Sequence, residues 1–267
     1  MIESLHSPHV ARVKALIGSR GVKERRDAGL FVAEGVQSVR EALTARTAPV
    51  ISKLYLTNEG ELKLSDFDLN EVDVIQVTDA VMAEMSSTVT PQGILALCTV
   101  PRRQLTELSE IAVKSASRVI YLHEIQDPGN AGTILRTADA FGVDAVVTSS
   151  GSVDMYSPKV VRSTAGSLWH IPLFEGISLS QLQSALPQSQ TVVLSSHART
   201  SIAELSRSDS FITVFGNEAR GVDLAALGVA ESAIASVTIP MGGRAESLNL
   251  SAAASIAIFT LSGALAG

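Results

Sequence analysis

Three short stretches of this chain combine glycine, small polar residues and a few charges in a way that suits ligand binding. The first passes through Asp127, Pro128 and Gly129 to Asn130, and Arg136 follows inside a helical apolar pattern. Asparagine can cap a helix, and the guanidinium of arginine binds anions. We expect a turn, a helix capped by Asn130, and a candidate anion-binding arginine. The same residues also fit a capped helix with an exposed arginine, and taken alone they favour that simpler interpretation.

The second stretch leaves a strand-like run at Gly216 and crosses Asn217 and Glu218 before reaching Gly221. A glycine after a strand lets the backbone approach a ligand closely. Both glycines also suit ordinary turns, so the pattern indicates a loop whose role it does not decide. We expect Gly216 to open onto a ligand, so that Gly216→Val weakens binding and leaves the protein folded.

In the third stretch, Pro240 ends a strand and Gly242 and Gly243 permit unusual dihedral angles before an apolar helix begins. Ser247 and Asn249 lie directly before that helix, where either one could be a plain cap. Three loops of this kind would line a pocket with backbone groups and small polar side chains.

Several common active-site signatures are missing from the sequence. There is no phosphate-binding P-loop, no dinucleotide-binding glycine motif after a strand and no nucleophile elbow. The histidines lack metal-binding spacing and cysteine partners, so we predict no metal site; they are His6, His9, His123, His170 and His197. A pocket with one arginine and one glutamate suits a neutral or zwitterionic cofactor better than a triphosphate.

The elements that must position these loops form two α/β regions. Strand and helix patterns alternate from residue 29 to about 100, and they restart at residue 118. We predict domains at 1–100 and 118–267, with residues 101–117 holding a linker and a possible helix. The second alternation implies a parallel sheet covered on both faces, which binds ligands outside the carboxyl ends of its strands.

Composition limits the class of protein. With 267 residues and 46% hydrophobic content, the chain can bury one large core or two modest ones, and we expect two compact domains. Cys98 is the only cysteine, which excludes an intrachain disulfide, and the N-terminal sequence lacks a signal-peptide pattern. We expect a cytoplasmic protein. The uncharged stretch Leu250 to Gly267 is diluted by serine, threonine and glycine, so a buried helix fits it better than a membrane span.

Charge gives a mixed signal about nucleic acid. The formal net charge of −6 argues weakly against RNA binding, which normally needs a basic face. Six basic residues nevertheless cluster near the N-terminus against the single acid Glu24. The candidate RNA-binding residues are Arg12, Lys14, Arg20, Lys23, Arg25 and Arg26. A solvated helix face explains the same cluster equally well.

The three stretches together resemble a known family. "GNAGTILRTADAFG", "VFGNEARGV" and "IPMGGRAESLNLSAAASIAIF" are similar, in this order, to the three motifs of the SpoU/TrmH RNA 2′-O-ribose methyltransferases of the SPOUT superfamily. "GLFVAEGVQSVREAL" and "PQGILAL" resemble the small L30e/L7Ae-like substrate-binding domain found in the ribosomal-RNA and thiostrepton-resistance branches. The resemblance covers nearly the whole chain. It implies a SPOUT α/β domain with a parallel sheet and a C-terminal trefoil knot, and a homodimer formed through that domain.

The resemblance also implies a cofactor and a set of site residues. S-adenosylmethionine would be held mainly by backbone groups at positions that match Gly216, Ile239, Met241, Ser247 and Leu248. The matching catalytic positions are Arg136, Asn130, Glu218, Ser247 and Asn249. Because a guanidinium keeps its proton, we expect Arg136 to position the substrate and stabilise a developing alkoxide rather than to act as a base. For Glu218, the alternative to a catalytic role is a purely structural one.

The implied reaction is methylation of a ribose 2′-hydroxyl in RNA, with 23S ribosomal RNA as the expected substrate. A transfer-RNA substrate is one alternative. The other is a non-catalytic RNA-binding or ribosome-assembly factor that keeps the fold, a possibility that intact motif residues oppose.

Overall fold

The computed structural model describes residues 1–45, 49–114, 117–205 and 208–262, with no side-chain description for 111–114. The helices are α1 (Pro8–Ile17), α2 (Gly21–Ala28), α3 (Val36–Thr44), α4 (Asn58–Leu62), α5 (Asp79–Met85), α6 (Leu105–Lys114), α7 (Pro128–Ala140), α8 (Pro158–Ser163), α9 (Leu179–Ala185) and α10 (Leu250–Leu261). The strands are β1 (Leu30–Glu34), β2 (Ile51–Leu56), β3 (Val74–Gln76), β4 (Ile94–Thr99), β5 (Arg118–Leu122), β6 (Ala145–Thr148), β7 (Leu173–Glu175), β8 (Gln190–Leu194), β9 (Thr200–Ser201), β10 (Phe211–Phe215) and β11 (Ile234–Thr238). Short 3₁₀ helices occupy Ser167–Trp169, Ile202–Glu204, Ala225–Leu227 and Glu231–Ala233.

The first compact unit consists of Met1–Arg102 and Asp154–His170. Its mixed sheet has the order β1-β4-β2-β3, in which β4 is antiparallel to both neighbours and β2 and β3 are parallel. Helix α1, capped by the hydroxyl of Ser7, buries Val10, Val13 and Leu16 from a single face. These side chains join a core that includes Tyr55 of β2. The small α/β domain expected from the alternating pattern is present, and α1, α2 and α4 are additional to it.

The second compact unit consists of Arg103–Val153 and Ile171–Gly267. Its sheet has seven strands in the order β7-β6-β5-β10-β8-β11-β9, and each adjacent pair is parallel. Interior strands such as β6 and β10 consist mainly of buried apolar residues, as expected for a sheet covered on both faces. The predicted parallel α/β fold is therefore confirmed. Two of its segments, Ile202–Glu204 and Ala225–Leu227, form only 3₁₀ turns, and the edge strand β9 is two residues long.

The compact units divide the chain differently from the predicted domains in two places. Helix α6 lies inside the predicted linker 101–117 and belongs to the second unit. Asp154–His170, predicted within the second domain, belongs to the first unit. There the ring of Phe31 contacts Tyr156 and Trp169, with centroid distances of 5.0 and 6.1 Å. Helical periodicity predicts α8 but cannot indicate which core the segment joins.

Helix α10 packs against α7 in the second unit. Its buried face carries Ala254 and Ala257, which let the two helices approach closely, and the rings of Phe141 and Phe259 meet edge to face at 5.5 Å. Among the described helices, none combines the length and the hydropathy that a membrane span requires. The predicted helix continued to Gly267, and its last five residues, 263–267, lie outside the described residues.

Candidate active site

The three polar loops follow strands β5, β10 and β11 of the parallel sheet. Gly216 comes directly after β10, and Ile239 comes directly after β11. The loop after β5 leads through Gln126 and Asp127 into α7. Carboxyl ends of parallel strands lie along one edge of a sheet, which is where open α/β sheets bind ligands.

Helix α7 is capped by Asp127, not by Asn130 as the sequence predicted. The carboxylate of Asp127 accepts a hydrogen bond from Asn130 N at 2.8 Å, and Pro128 occupies the first helical position. An acidic cap followed by proline is a favourable helix start. Proline lacks a backbone N–H, but an N–H at the first helical position would have no acceptor within the helix. The side chain of Asn130 is thereby left for other contacts, although the residue is only 8% exposed.

Glu218 joins the loop after β10 to the loop after β5. Its carboxylate accepts hydrogen bonds from Asp127 N at 2.9 Å, Gln126 N at 3.1 Å and Asn130 Nδ2 at 3.3 Å. Partial burial raises the pKa of Glu218, but these donors together with its own backbone N–H lower the pKa below its ordinary value. Glu218 is therefore an ionised structural acceptor that fixes the start of α7.

Asn249 connects α10 to the same group. Its Nδ2 donates to Asn130 Oδ1 at 3.1 Å, while its Oδ1 accepts from Ser251 N at 2.9 Å and from Ala252 N at 3.3 Å. The plain capping role considered for Asn249 is present, and the bond to Asn130 is additional. Asn249, Asn130 and Glu218 form one chain of hydrogen bonds across all three motif loops.

Gly216 has a structural requirement of its own. Asn217 and Gly221 exchange backbone hydrogen bonds of 3.0 and 2.8 Å, which folds the loop back against Gly216. A Cβ at position 216 would overlap the carbonyl of Gly221 and the side chain of Val222. A valine at position 216 would therefore collide with the chain itself, so weaker ligand binding by Gly216→Val could follow from a displaced loop as well as from a blocked pocket.

Residues 241–248, between β11 and α10, form a loop that is open to solvent. The large apolar side chains of Met241 and Leu248 are 39% and 37% exposed. No hydrogen bond joins residues 241–248 to any described residue, so their backbone N–H groups are available to a ligand. Neither Gly242 nor Gly243 has a positive φ, so the unusual dihedral angles expected there are absent.

Arg136 and Ser247 are not part of the hydrogen-bonded chain. Both are exposed, and neither forms a side-chain hydrogen bond or ion pair with the described residues. Arg136 lies six positions after Asn130 on α7; at about 100° per residue the two side chains leave the helix on different faces. The structure therefore brings Asn130, Glu218 and Asn249 together and leaves Arg136 free to meet a substrate.

One of the six basic residues near the N-terminus, Arg25, is buried in the structure. Arg25 is only 5% exposed; its guanidinium pairs with Asp154 at 2.6 Å and donates to the carbonyl of Leu16. Arg25 is thus a buried structural group and not a free cation, which corrects its predicted RNA-binding role. The remaining members lie exposed on and beside α1 and α2: Arg12, Lys14, Arg20, Lys23 and Arg26. Lys14 has Glu84 as an ion-pair partner.

Sequence reasoning missed two residues that shape the site. Asn217 closes its own loop by accepting from Ala219 N and Arg220 N, and it donates to the carbonyl of Glu124 at 3.0 Å. Glu124 adopts a positive φ of 52°, which is uncommon for a side chain with a Cβ. Nothing in the sequence marks Glu124, whereas the order Asp-Pro does mark Asp127 as a helix cap.

Comparison with known proteins agrees with this geometry. The SpoU rRNA Methylase family matches residues 117–259, and an MRM3-like substrate binding domain matches residues 8–96. The chain is 32% identical to the 23S rRNA (guanosine(2553)-2'-O)-methyltransferase RlmP of Bacillus subtilis, covering 90% of this chain and 92% of that protein. It is 26% identical to the 23S rRNA (uridine(2479)-2'-O)-methyltransferase of Streptomyces viridochromogenes, covering 92% and 86%.

A solved structure shares nearly the whole fold. The crystal structure of an AdoMet-bound rRNA methyltransferase from Sinorhizobium meliloti has a TM-score of 0.82 and 26% sequence identity, and the match covers 99% of this chain and 97% of that one. The family match spans more than half of the chain and contains all three motif loops. This protein belongs to the SpoU rRNA methylase family.

Proposed function

We propose that this chain transfers the methyl group of S-adenosylmethionine to a ribose 2′-hydroxyl of 23S ribosomal RNA. The observation that carries the proposal is the hydrogen-bonded chain from Asn249 through Asn130 to Glu218, which unites the three family motifs at one edge of the sheet. Family membership and the names of full-length relatives support the same reaction.

The residues present fit the cofactor that the family uses. Loop 241–248 offers unbonded backbone donors, which suit a ligand held by main-chain groups, and the segment from Gly216 to Gly221 is fixed by its own hydrogen bonds. The residues that would hold it are Gly216, Ile239, Met241, Ser247 and Leu248. When bound, S-adenosylmethionine supplies an electrophilic methyl group on a sulfonium.

The chain's own contribution is to position the ribose oxygen and to stabilise the charge that develops on it. Arg136 is the candidate for both tasks, because its exposed guanidinium has no partner among the described residues. Its planar fork can hold a phosphate and a neighbouring oxygen together. Asn130, Glu218 and Asn249 keep the start of α7 in place, and Ser247 lies two positions before Asn249 on the exposed loop.

RNA binding falls to the first unit in this proposal. The exposed basic residues on α1 and α2 would supply phosphate contacts, and the domain match at residues 8–96 is to a substrate binding domain. Neutralising the exposed members should make the dependence of log affinity on log salt shallower. They are Arg12, Lys14, Arg20, Lys23 and Arg26. An unchanged slope would place the RNA elsewhere.

The proposal includes a knotted second unit and a homodimer formed through it. Exposed apolar side chains in this part of the chain, at Met241, Leu248 and Ile256, give a second copy surface to cover. Sedimentation at micromolar concentration should report a dimer, and a stable monomer would contradict this placement. A cytoplasmic location, where ribosomal RNA is available, belongs to the same proposal.

The test of the function is a map of ribose methylation across total RNA, with and without the gene. We expect one 2′-O-methyl mark in 23S rRNA to disappear on deletion and to return with the wild-type gene. If a mark in a transfer RNA disappeared instead, the substrate would be that transfer RNA and not 23S rRNA. If every mark stayed and the protein did not bind S-adenosylmethionine in calorimetry, a non-catalytic assembly factor would replace the proposal.

A further inference from the structure

A groove of about 310 Å³, lined mainly by polar residues, lies within the first unit, whereas the three family motifs belong to the second unit. It is bounded by the start of α3, by the loop of residues 86–92, and by Arg162 of α8. The lining side chains include Gln37, Thr88, Thr90 and Gln92, which carry amides and hydroxyls. Glu34 and Arg162 are the only charged residues among the described residues that line it.

Glu34 holds the loop of residues 86–92 in place. Its carboxylate accepts hydrogen bonds from Ser87 N at 3.1 Å, Ser87 Oγ at 2.7 Å and Thr88 Oγ1 at 2.5 Å, and also from the hydroxyl of Ser86. Burial raises the pKa of Glu34, but these donors lower it below the ordinary value, so the group is ionised. With its side chain only 4% exposed, Glu34 shapes the groove and presents almost no charge to it.

Arg162 is anchored at one end only. Its Nη1 donates to the hydroxyl of Ser87 and lies 3.8 Å from the Glu34 carboxylate. In the described part of the chain, Nε and Nη2 of Arg162 have no acceptor, and the side chain is 35% exposed. A guanidinium fixed at one nitrogen, with its other donors free, is prepared to bind an anion with a planar set of oxygens.

We propose that this groove binds one nucleotide of the RNA substrate, with Arg162 on the phosphodiester and the neutral side chains around its sugar or base. The inference rests on the proposed function and extends RNA contact beyond the basic residues of α1 and α2. A single cation among hydroxyls and amides suits one phosphate with its attached nucleoside better than a run of phosphates. Glu34 acts here as a positioning residue through Ser87 and Thr88.

The first test is Arg162→Gln compared with a matched control, Lys53→Gln. Lys53 is similarly exposed in the same unit, pairs with Asp73 on the surface and does not line the groove. Arg162→Gln should raise the Kd for RNA about tenfold and reduce the salt slope by about one. The Kd for S-adenosylmethionine and the single-turnover rate at saturating RNA should stay at wild-type values. Equal RNA affinity for both variants would overturn the proposal.

The second test is Glu34→Gln, for which charge and geometry predict opposite results. The substitution makes the unit more positive by one charge, so a purely electrostatic account predicts tighter RNA binding. If Glu34 positions Arg162 and the loop, RNA binding weakens instead, in the same direction as Arg162→Gln. Unchanged S-adenosylmethionine binding and a cooperative melt identify a folded variant. Tighter RNA binding in that variant would refute the positioning role.

Failure of the groove and failure of the proposed function are distinguishable. If wild-type protein methylates 23S rRNA and Arg162→Gln does so with wild-type KM, only the groove is refuted. If wild-type protein neither binds nor methylates RNA, the proposed function fails with it. Should Arg162→Gln not fold, Thr90→Ala at an exposed lining position replaces it, with a smaller increase in Kd expected and unchanged Kd contradicting the proposal.

Discussion

Asn249 Nδ2 donates to Asn130 Oδ1 at 3.1 Å, which couples the first turn of α10 to the first turn of α7. Asn130 in turn donates through Nδ2 to Glu218 at 3.3 Å. A side-chain amide accepts through its oxygen and donates through its nitrogen. An ionised carboxylate has no proton to donate, so it can only accept. The position between Asn249 and Glu218 therefore needs a side chain that both accepts and donates, which the amide of Asn130 does.

Asn130→Asp should destabilise the protein in a pH-dependent way. The variant places a second carboxylate beside Glu218, whose pKa in the wild type is lowered by donors that include Asn130. Like charges raise the pKa values of the pair on folding, so the cost is fully present above these raised folded-state pKa values and disappears as the pH falls through them to below the unfolded pKa values. Urea unfolding at about pH 7.5 and about pH 4 measures it. A cost that is equal at both pH values would show that the introduced carboxylate does not face Glu218.

Gly216→Ala should lower the free energy of unfolding, because the added methyl meets the backbone of Gly221. Forced overpacking of this kind costs about 1–3 kcal/mol. Gly242→Ala is the matched control, since a Cβ there meets nothing within 4 Å and the position has no positive φ. Denaturant unfolding should separate the two variants clearly. Equal stabilities would contradict the packing of the loop from Gly216 to Gly221.

Arg25→Ala should lower the stability of the protein, whereas Arg26→Ala at the adjacent position should affect RNA binding instead. Arg25→Ala leaves the mostly buried carboxylate of Asp154 without its partner and should cost about 3–5 kcal/mol. Arg26 is exposed, so Arg26→Ala should change stability by less than about 0.5 kcal/mol and reduce the salt slope of RNA binding. If Arg25→Ala were as stable as the wild type and reduced the salt slope of RNA binding, Arg25 would be an RNA-binding residue after all.

Arg136→Ala should slow methyl transfer and leave cofactor binding intact. Removing a charged donor at a reacting oxygen typically lowers the rate by about 10² to 10³. Arg136→Lys should recover only part of it, because an ammonium lacks the planar fork. Single-turnover transfer with saturating cofactor and RNA gives the rate, and a separate titration gives the Kd for S-adenosylmethionine. Loss of activity caused only by lost cofactor binding would remove Arg136 from the ribose side of the site.

The sequence predicts most of the fold because strand and helix periods are local signals. Strands such as β5 and β10 consist mainly of buried apolar residues, and α7 shows a helical pattern. Helix α1 carries a local signal of the same kind, since its buried residues Val10, Val13 and Leu16 are three positions apart. The placement of Asp154–His170 in the first unit depends on contacts such as that between Phe31 and Trp169, which no local pattern encodes.

The site is less predictable than the fold for the same reason. Asn130, Glu218 and Asn249 are recognised through family motifs, yet their mutual bonds join residues 88 and 119 positions apart. Burial of Arg25 depends on Asp154, which is 129 positions away. An arginine in the sequence shows that a cation is present. It does not show whether that cation faces solvent, RNA or a buried carboxylate.

The most direct test of the central claim uses 23S rRNA with a single 2′-deoxynucleotide at the mapped target. We expect single-turnover methyl transfer to unmodified RNA and none to the deoxy RNA, because the accepting oxygen is missing there. Both RNAs should bind the protein, since the substitution removes one hydroxyl and leaves the phosphates. Methyl transfer to the deoxy RNA at the unmodified rate would place the methyl group elsewhere on the RNA and contradict ribose 2′-O-methylation.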